Sequence, residues 1–377
     1  MRILFLVRGL NVGGAQRQLV ALARGLRRSG HDVSVAVFYG GGLFEEELRK
    51  DGIRVHDLAR TGRWDTVWSL ARLVRLVRAE TPDILHAYMG LANLYAAIAR
   101  PFFPSVKIVW GIRSALEDLK VYGLVTRMGE WLGRAASPLA DAIIANSEAA
   151  RRRAVAIGLP GRKIMVVPNG IDCDAFRPDE EGRHRLRGEW AIPAGAPLIG
   201  MVARLDPVKG HPTFLRAAAR IASLRSDARF VCVGEGQPAY RESLVRLASE
   251  LGLADRLVWA GERRVTSAIY SALDVAVLAS DAGESFPNVV AEAMACGRPC
   301  VVTESGDSPL IVGDTGCIAP PGDPEALARA ILGVLERVLA DRTGTSARAR
   351  DRVMVEFSVE RLVTRTERAL ELVKGGG

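Results

Sequence analysis

The feature that most constrains the fold of this chain is a repeated alternation of short apolar runs with amphipathic helical patterns. In the first half, helical patterns such as Ala15–Arg28 and Thr66–Glu80 separate six runs that are typical of strands. This alternation predicts a mostly parallel sheet with right-handed crossovers and helices on both faces. The six predicted strands are Ile3–Val7, Asp32–Phe38, Asp83–Ala87, Val106–Trp110, Ala142–Ala145 and Lys163–Val167.

A turn-rich stretch from Pro168 to Pro197 interrupts the alternation, which then restarts. We therefore predict two doubly wound α/β domains, residues 1–178 and 185–357, joined near residues 178–190. The segment Ser358–Val373 carries apolar residues at helical spacing and predicts an amphipathic final helix. The predicted strands of the second domain are Leu198–Ala203, Arg229–Val233, Arg256–Trp259, Asp274–Leu278 and Pro299–Thr303.

The length and composition agree with two globular domains in a reducing compartment. At 377 residues the chain is too long for one ordinary core. It has no run of about 18 apolar residues, which a membrane-spanning helix needs. The apolar start leads into a helical pattern without a cleavage site, so we interpret it as a strand and not as a signal peptide. Five cysteines without a C-x-x-C pair favour a cytoplasmic location and argue against disulfides or a zinc site.

The charge of the chain is basic and carried mainly by arginine. The formal net charge is +8, and 45 of the 51 basic residues are arginines. Such a surface favours anionic partners, although arginine-rich helix faces can equally reflect genome composition. No RNA- or DNA-binding motif accompanies the charge, so we predict no nucleic-acid partner.

The segment DAGESFPNVVAEAMACGRP, residues 281–299, is the strongest candidate for a site. It follows a predicted strand, and Pro287 marks the first turn of a helix. Glu284 precedes this helix and Glu292 lies on it, eight positions later. The amides near residues 286–289 form a positive helix end that suits phosphate, and a carboxylate can accept hydrogen bonds from vicinal hydroxyls. The segment therefore predicts binding of a phosphorylated sugar.

A second candidate is RLDPVKG, which directly follows the predicted strand Leu198–Ala203. Arg204 supplies a planar fork and Lys209 a point charge, and a diphosphate can use both cations. We see no acidic pair of the D-x-D kind that would hold a metal, so we predict that these cations and the helix end replace a divalent ion.

Two glycine-rich turns are weaker candidates. The turn GLNVGGAQ, with Gly13 and Gly14, opens a helix and could receive a phosphate on its amides. It lacks the G-x-G-x-x-G dinucleotide pattern, which disfavours a nicotinamide enzyme. Gly234 and Gly236 flank an acid after another strand, where glycines allow close approach of a ligand or simply form a turn.

Taken together, these motifs resemble those of the retaining glycosyltransferase family 4. The resemblance rests on E-x7-E with SFPN and AMACGRP, on RLDPVKG, and on VPNGID, IANSEAAR and GGAQRQL elsewhere in the chain. It implies the GT-B fold, in which two Rossmann-like domains face a cleft and the last helix, 358–377, returns to the N-terminal domain. It also implies transfer of a hexosyl unit from a nucleotide sugar, with retained anomeric configuration and without a required metal or other cofactor.

The resemblance assigns a role to each motif. Arg204 and Lys209 would hold the departing diphosphate, Glu284 the donor sugar and Glu292 the ribose. Gly13 and Gly14 would close over the phosphates from the N-terminal, acceptor-side domain. On family grounds the nucleotide would be UDP. The further donor-binding residues in the C-terminal domain would be Gly234, Phe286, Pro287 and Asn288.

The N-terminal domain departs from the family pattern at two strand ends. The family often has H-x-H where this chain has His86 and Tyr88, so we retain His86 as a catalytic candidate, although a histidine of the core fits equally well. The next strand ends at Arg113, where many relatives have histidine. Arg113 could bind an anionic acceptor or pair with an acid, and the sequence leaves both open.

The predicted helix at residues 117–136 interleaves basic and aromatic residues, including Lys120, Arg127 and Trp131. This pattern suits contact with an anionic membrane surface, but it also fits a helix that is half core and half solvated. A peripheral contact with the inner face of the membrane therefore stays open.

We predict a cytoplasmic glycosyltransferase that moves a hexosyl unit from a nucleoside-diphosphate sugar to a hydroxyl of a glycan or lipid-linked acceptor. Two alternatives remain: a sugar-nucleotide 2-epimerase on the same fold, and a two-domain sugar-binding protein without catalysis. The first would not show E-x7-E together with RLDPVKG, and the second would need an export signal.

Overall fold

The protein folds into two compact α/β units. The structure, a computed structural model, describes residues 1–11, 13–62, 65–113, 131–263 and 266–375. One unit comprises Met1–Gly170 and Val359–Gly377, and the other comprises Ile171–Ser358. Each contains one sheet in which all strand pairs of the described residues are parallel.

The sheet of the first unit has seven strands in the order β3-β2-β1-β4-β5-β6-β7. The strands are β1 (Arg2–Val7), β2 (Asp32–Val37), β3 (Arg54–Asp57), β4 (Ile84–Tyr88), β5 (Lys107–Ile112), β6 (Ala142–Ala145) and β7 (Ile164–Val166). The helices that follow them are α1 (Gly14–Arg28), α2 (Leu43–Lys50), α3 (Thr66–Glu80), α4 (Met89–Ala99) and α5 (Glu148–Ala156).

The sheet of the second unit has six strands in the order β10-β9-β8-β11-β12-β13. The strands are β8 (Leu198–Val202), β9 (Arg229–Val233), β10 (Leu257–Gly261), β11 (Val275–Leu278), β12 (Cys300–Thr303) and β13 (Cys317–Ala319). The helices are α6 (Glu180–Glu189), α7 (His211–Leu224), α8 (Pro238–Glu250), α9 (Ser267–Ala272), α10 (Asn288–Ala295), α11 (Ser308–Val312), α12 (Pro324–Ala340) and α13 (Arg342–Glu356).

Both faces of each sheet are buried, which is why the strands are apolar along their whole length. In β1, Leu4 and Leu6 belong to one hydrophobic core and Ile3, Phe5 and Val7 to another. Successive side chains of a strand point to opposite faces, so the two cores lie on the two sides of the sheet. The second unit is built in the same way. The prediction of two doubly wound α/β domains is confirmed.

The sequence analysis missed two strands, β3 and β13. Both are edge strands of their sheets, and they are only four and three residues long. Strand β3, with the sequence RVHD, is partly exposed and has little of the apolar pattern that marked the other strands. A short polar strand is recognised only when its neighbour in the sheet supplies the pairing partners, here Ser34–Val37.

The division of the chain lies between Gly170 and Ile171, earlier than the expected end at residue 178. Ile171 is buried in the core of the second unit, and its N–H donates to the carbonyl oxygen of Phe357 at 2.7 Å. The last helix, α14 (Val359–Gly375), belongs to the first unit, where it packs against α1. Gly25 of α1 permits this packing, because a Cβ there would lie 2.2 Å from Val363.

The predicted membrane-surface helix lies largely outside the described residues. Only residues 131–136 of the predicted segment 117–136 are described, and they are helical. Trp131 is exposed there, whereas Lys120 and Arg127 fall in the part that is not described. Of the helices in the described ranges, none combines the length and the apolar character needed to cross a bilayer.

A buried carboxylate organises the start of the second sheet. Asp274, which directly precedes β11, has a side chain only 7% exposed and accepts a hydrogen bond from the Leu198 N–H at 2.8 Å. It forms ion pairs with Arg183 at 2.9 Å, Arg187 at 3.3 Å and Arg342 at 3.2 Å. One carboxylate therefore pairs with three guanidinium groups from two helices and holds them at the start of β8.

Replacing this carboxylate should destabilise the protein strongly. Asp274→Ala leaves buried guanidinium groups without their partner, and the expected loss is about 3–5 kcal/mol in the free energy of unfolding. Urea unfolding followed by circular dichroism measures it. The control is Asp227→Ala, because the Asp227 side chain is 51% exposed and forms a surface ion pair with Arg225, so its loss should stay below about 1 kcal/mol. Equal losses in the two variants would contradict the organising role.

A buried histidine makes stability depend on pH. Burial, with the nearby positive charge of Lys209, lowers the pKa of His211 from 6.5 to about 4. Between these two pKa values the unfolded chain binds a proton that the folded chain does not. The contribution of His211 to the free energy of unfolding is therefore fully present above pH 6.5 and decreases as the pH is lowered.

We expect this group to remove roughly 2 kcal/mol of unfolding free energy between pH 7 and pH 5. In His211→Gln that part of the pH dependence should disappear, whereas exposed His184→Gln should keep it. Urea unfolding of the three proteins at both pH values measures the difference. A His211→Gln protein with an unchanged pH dependence would refute the assignment.

Candidate active site

The candidate site of the second unit lies where the strand order of its sheet reverses. Strand β8 has β9 on one side and β11 on the other, so the connections leave the two central strands in opposite directions. In open parallel sheets, ligands bind at this position, beyond the carboxyl ends of the strands. The segments that follow β8 and β11 are the RLDPVKG motif and the start of the E-x7-E motif.

The loop after β8 is a tight turn that passes very close to the end of β11. Pro207–Lys209 forms one turn of 3-10 helix, begun by Asp206, whose carboxylate accepts a hydrogen bond from the Val208 N–H. Gly210 has φ +67°, and a Cβ there would lie 1.9 Å from the carbonyl oxygen of Ala279. Only glycine fits this position, and the close approach places Lys209 beside the segment that follows β11.

Lys209 and Glu284 form a direct ion pair. The Lys209 Nζ donates to Glu284 Oε1 at 2.6 Å, and the Ser280 hydroxyl donates to the same oxygen at 2.6 Å. The Glu284 side chain is 9% exposed and that of Lys209 is 23% exposed. Ser280 is fully buried, and its carbonyl oxygen accepts from the Thr303 hydroxyl at 2.6 Å. A chain of hydrogen bonds from β12 thus orients the carboxylate of Glu284.

The main chain of Glu284 is also held in place, by the segment that follows β12. Gly306 has φ +58°, and a Cβ there would lie 2.2 Å from the Glu284 carbonyl oxygen. The next residue, Asp307, donates its N–H to the Ser285 carbonyl oxygen at 2.9 Å. The segment after β12 therefore braces the loop that carries Glu284, so both ends of this residue are positioned before any ligand binds.

The second glutamate lies on α10, as predicted. Glu292 is buried at 3% exposure, and its Oε2 accepts a hydrogen bond from the Tyr270 hydroxyl at 2.7 Å. The helix begins at Asn288, so Pro287 directly precedes its first turn. The Phe286 ring packs edge-on against Phe357 at 5.5 Å, which leaves its main chain as the part that can face a ligand.

Arg204 does not join Lys209 in this structure. Its side chain is 70% exposed and pairs with Asp206 at 3.0 Å, two positions along the chain. Convergence of the two cations on a diphosphate therefore stays a prediction. Because the Arg204–Asp206 pair is largely exposed, it is weak and can exchange for another anion.

The fold itself requires a glycine at position 234. It has φ +142°, and a Cβ there would lie 2.0 Å from the Ala203 carbonyl oxygen. Next to it, Leu205 forms a parallel bridge to Gly236 and donates its N–H to the main-chain carbonyl oxygen of Glu235 at 2.9 Å. The glycines allow the loops after β8 and β9 to continue the pairing of the sheet. The contact of Gly234 with a donor remains a prediction.

In the first unit the predicted residues lie at the start of α1 and within β4. Gly13 directly precedes α1 in extended conformation, and Gly14 is the first residue of the helix. His86 lies on β4, fully buried between the rings of Phe5 and Tyr88. Burial, with the positive charge of Arg113, lowers the pKa of His86 well below its usual value. The ring is therefore neutral at physiological pH, and its catalytic role remains a prediction.

Sequence reasoning missed Ser280, Thr303 and Tyr270, which orient the two glutamates. Ser280 precedes Glu284 by four residues in the same loop, so its proximity could have been suspected. Tyr270 and Thr303 come from other elements, and no local pattern relates them to the motif. In the described ranges, no group of three or more histidine, cysteine, aspartate or glutamate side chains could hold a metal ion.

Two family descriptions match the chain, one in each half. Residues 12–175 match "Glycosyltransferase Family 4", and residues 196–337 match "Glycosyl transferases group 1". The first match includes Gly13, Gly14 and the strands β2 to β7, and the second includes RLDPVKG and E-x7-E.

Similar curated proteins include the D-inositol 3-phosphate glycosyltransferases of mycobacteria. The protein from Mycolicibacterium smegmatis is 32% identical over 236 residues, which are 61% of this chain and 54% of that protein. The protein from Mycobacterium bovis is 32% identical over 226 residues, covering 59% of this chain and 46% of the relative. The chain thus aligns with about half the length of these curated relatives.

Solved structures resemble the whole chain. Anabaena HepE in complex with UDP has a TM-score of 0.83 at 23% identity and covers 98% of this chain and 100% of its own. A glycosyltransferase from Rickettsia africae has a TM-score of 0.84 at 19% identity and covers 99% and 98%. These likenesses show the GT-B fold that the motifs implied. With both halves matched by the family descriptions, the chain belongs to glycosyltransferase family 4, of the group 1 glycosyl transferases.

Proposed function

We propose that this protein transfers a hexosyl unit from a UDP-sugar to a hydroxyl of a glycan or lipid-linked acceptor, with retention of configuration and without a metal ion. The observation that carries the proposal is the contact of Lys209 with Glu284 at the strand ends, immediately before helix α10. This contact brings the RLDPVKG and E-x7-E motifs together, as a donor site that holds both phosphate and sugar requires.

The diphosphate would be bound by fixed positive charge. Lys209 supplies an ammonium group, and the start of α10 supplies main-chain N–H groups and the positive end of the helix dipole. Arg204, whose exposed side chain pairs with Asp206, can turn its guanidinium toward the same phosphates. Charges that are already in place at the leaving group stabilise the transition state without reorganisation. Such preorganised electrostatic stabilisation is usually the largest single contribution to catalysis.

The two glutamates would bind different parts of the donor. Glu284 has Oε1 engaged by Lys209 and Ser280, so Oε2 is the oxygen oriented for hydroxyls of the hexose. Glu292, positioned by Tyr270, would accept hydrogen bonds from the ribose hydroxyls. Lys209 would then contact both the leaving phosphate and the carboxylate beside the sugar, which couples departure of the diphosphate to stabilisation of the anomeric carbon.

The reaction we propose occurs on one face of the sugar. The bond between the anomeric carbon and the phosphate oxygen breaks, and the acceptor hydroxyl oxygen bonds to the same carbon from the same side. The departing phosphate oxygen takes the proton of that hydroxyl. Positive charge develops at the anomeric carbon in the transition state, and the Glu284 carboxylate lies in the loop assigned to that part of the donor.

The comparisons support the choice of substrates. Anabaena HepE, which shares the fold over the whole chain, was solved with UDP. The mycobacterial relatives are named for transfer to D-inositol 3-phosphate, a phosphorylated polyol. These facts support a UDP-sugar and a hydroxyl acceptor as the first substrates to test.

Removing divalent metals should leave transfer largely intact, because Lys209, Arg204 and the helix end supply the positive charge for the leaving group. The measurement is the rate of UDP release from a UDP-sugar with and without a chelator. A rate that vanishes with chelator and returns with magnesium or manganese would refute the metal-independent mechanism.

Substituting the two glutamates should affect different steps, UDP binding for Glu292 and turnover for Glu284. Glu292→Gln should weaken binding of bare UDP by about 1.5–3 kcal/mol, or on the order of 10- to 100-fold, because it loses a charge-assisted contact with the ribose. Glu284→Gln should leave UDP binding nearly unchanged and lower turnover by roughly 100-fold, because its contact strengthens in the transition state. Calorimetry with UDP and initial rates with a UDP-sugar measure the two effects.

Glu242→Gln is the matched control, since Glu242 is exposed on α8 and should affect neither quantity. If Glu284→Gln weakens UDP as much as Glu292→Gln does, the division of roles is wrong. If neither variant changes binding or turnover, the proposed function itself fails.

A further inference from the structure

The first unit has its own polar cluster at the point where its strand order reverses. Strand β1 lies between β2 and β4, and β5 is the next strand beyond β4. Tyr88 is the last residue of β4, and Arg113 directly follows β5. These side chains therefore lie at the carboxyl edge of the sheet, where parallel sheets bind ligands.

Arg113 is buried with most of its hydrogen-bonding capacity unused. The residue is 8% exposed, and its Nη2 donates to the Tyr88 hydroxyl at 2.6 Å. Its Nε and Nη1 are buried and have no partner among the described residues. A guanidinium has five N–H groups, so whichever Nη2 hydrogen Tyr88 accepts, one parallel pair of N–H groups remains for a two-pronged contact with a carboxylate or phosphate.

The positive charge of Arg113 has no counter-ion in the part of the chain that the structure describes. Its guanidinium instead lies over the Tyr88 ring, 4.4 Å from the centroid. An unpaired buried charge costs considerable free energy, and folded proteins keep one where it serves binding or catalysis. The acid that would pair with Arg113 is therefore expected on a ligand.

Neighbouring side chains leave further polar atoms unpaired. Both ring nitrogens of His86 and the Oδ1 of Asn93 are buried without a partner in the described part of the chain. At Gly111 even a Cβ would be crowded, 3.1 Å from the Ala87 carbonyl oxygen and 3.6 Å from His86 Nε2, so the backbone of β5 packs closely against these side chains. Buried polar groups without partners thus lie beside the charged group, and a polar ligand at this edge would supply those partners.

The backbone at this edge is strained. Met89, the first residue of α4, has φ +70°, which a non-glycine residue adopts only at a cost. The Asn93 side chain donates to the Gly111 carbonyl oxygen at 3.2 Å, which ties α4 to β5. The strained turn and this bond hold Tyr88 and Arg113 in register across two strands.

We propose that Arg113, positioned by Tyr88, binds an anionic group, a phosphate or a carboxylate, of the acceptor substrate. The assignment to the acceptor rests on the proposed function, because the donor diphosphate is there assigned to Lys209 and Arg204 on the other sheet. The chemical class of the acceptor follows: a hydroxyl compound that carries a negative charge near the hydroxyl that is glycosylated.

Calorimetry on the full chain tests the site with simple anions. Methyl phosphate and acetate are titrated separately into the protein, each with and without saturating UDP. At least one anion should bind, and its affinity should be unchanged by UDP because the donor occupies a different site. The anion that binds identifies the acceptor group as phosphate or carboxylate.

Two variants and a control make the test specific. Arg113→Gln should weaken binding of that anion by about 10- to 100-fold, as expected for loss of a charge-assisted contact. Tyr88→Phe keeps the ring that packs on Phe5 and removes only the hydroxyl, and it should weaken binding by a few fold. Arg151→Gln is the control, since that arginine is 41% exposed in the same unit and pairs with Glu148.

The thermal unfolding midpoint of each variant should be measured in parallel. Removing an unpaired buried charge should leave the midpoint of Arg113→Gln equal or higher, whereas a structural arginine would lower it. If Arg113→Gln does not fold, Tyr88→Phe still decides the question through its anion affinity.

The outcomes separate this inference from the proposed function. Anion binding that persists unchanged in Arg113→Gln or Tyr88→Phe, that is lost when UDP is added, or that is absent for both anions overturns the acceptor site. If the parent protein does not bind UDP but binds an anion through Arg113, the proposed donor fails and the anion site stands.

Discussion

The close approach of Gly210 to the carbonyl oxygen of Ala279 is the constraint on which the candidate site of the second unit depends. Strands β8 and β11 are parallel neighbours, so their carboxyl ends meet at one edge of the sheet and the loops that leave them compete for the same space. A glycine without a side chain lets the two loops touch. Lys209 is thereby held within hydrogen-bonding distance of Glu284, 75 positions away in the sequence.

The charged groups at the carboxyl ends of the two sheets are paired in different ways. In the second unit, Lys209 is neutralised by Glu284, and Ser280 completes the hydrogen bonds of the carboxylate oxygen. In the first unit, the Arg113 guanidinium donates to the Tyr88 hydroxyl and lies over its ring, and no acid pairs with it among the described residues. A paired charge can be shared with an incoming ligand, whereas an unpaired one gains its counter-ion from the ligand. The first arrangement suits a leaving group and the second suits a substrate that must be recognised.

Much of the fold could be predicted because both faces of each sheet are buried. Strands buried on both sides are apolar along their length, so runs such as Arg229–Val233 and Ala142–Ala145 have the predicted bounds. The edge strands β3 and β13 could not be found in this way, because they are only four and three residues long and partly exposed, and β3 also carries polar residues. The boundary between the units was misplaced for a similar reason, since Ile171 belongs to the second unit through contacts with Phe357, far away in the sequence.

The sequence by itself determined the class of fold, the family and the two motifs of the candidate site, because periodicity and motif spacing are local properties of the chain. The tertiary structure decided which side chains meet: that Lys209 pairs with Glu284 while Arg204 pairs with Asp206, and that Tyr270 orients Glu292. It also decided that Arg113 is buried without an acid among the described residues. Hydrogen bonds and burial depend on distances between strands and loops, and only the packing of the sheets sets those distances.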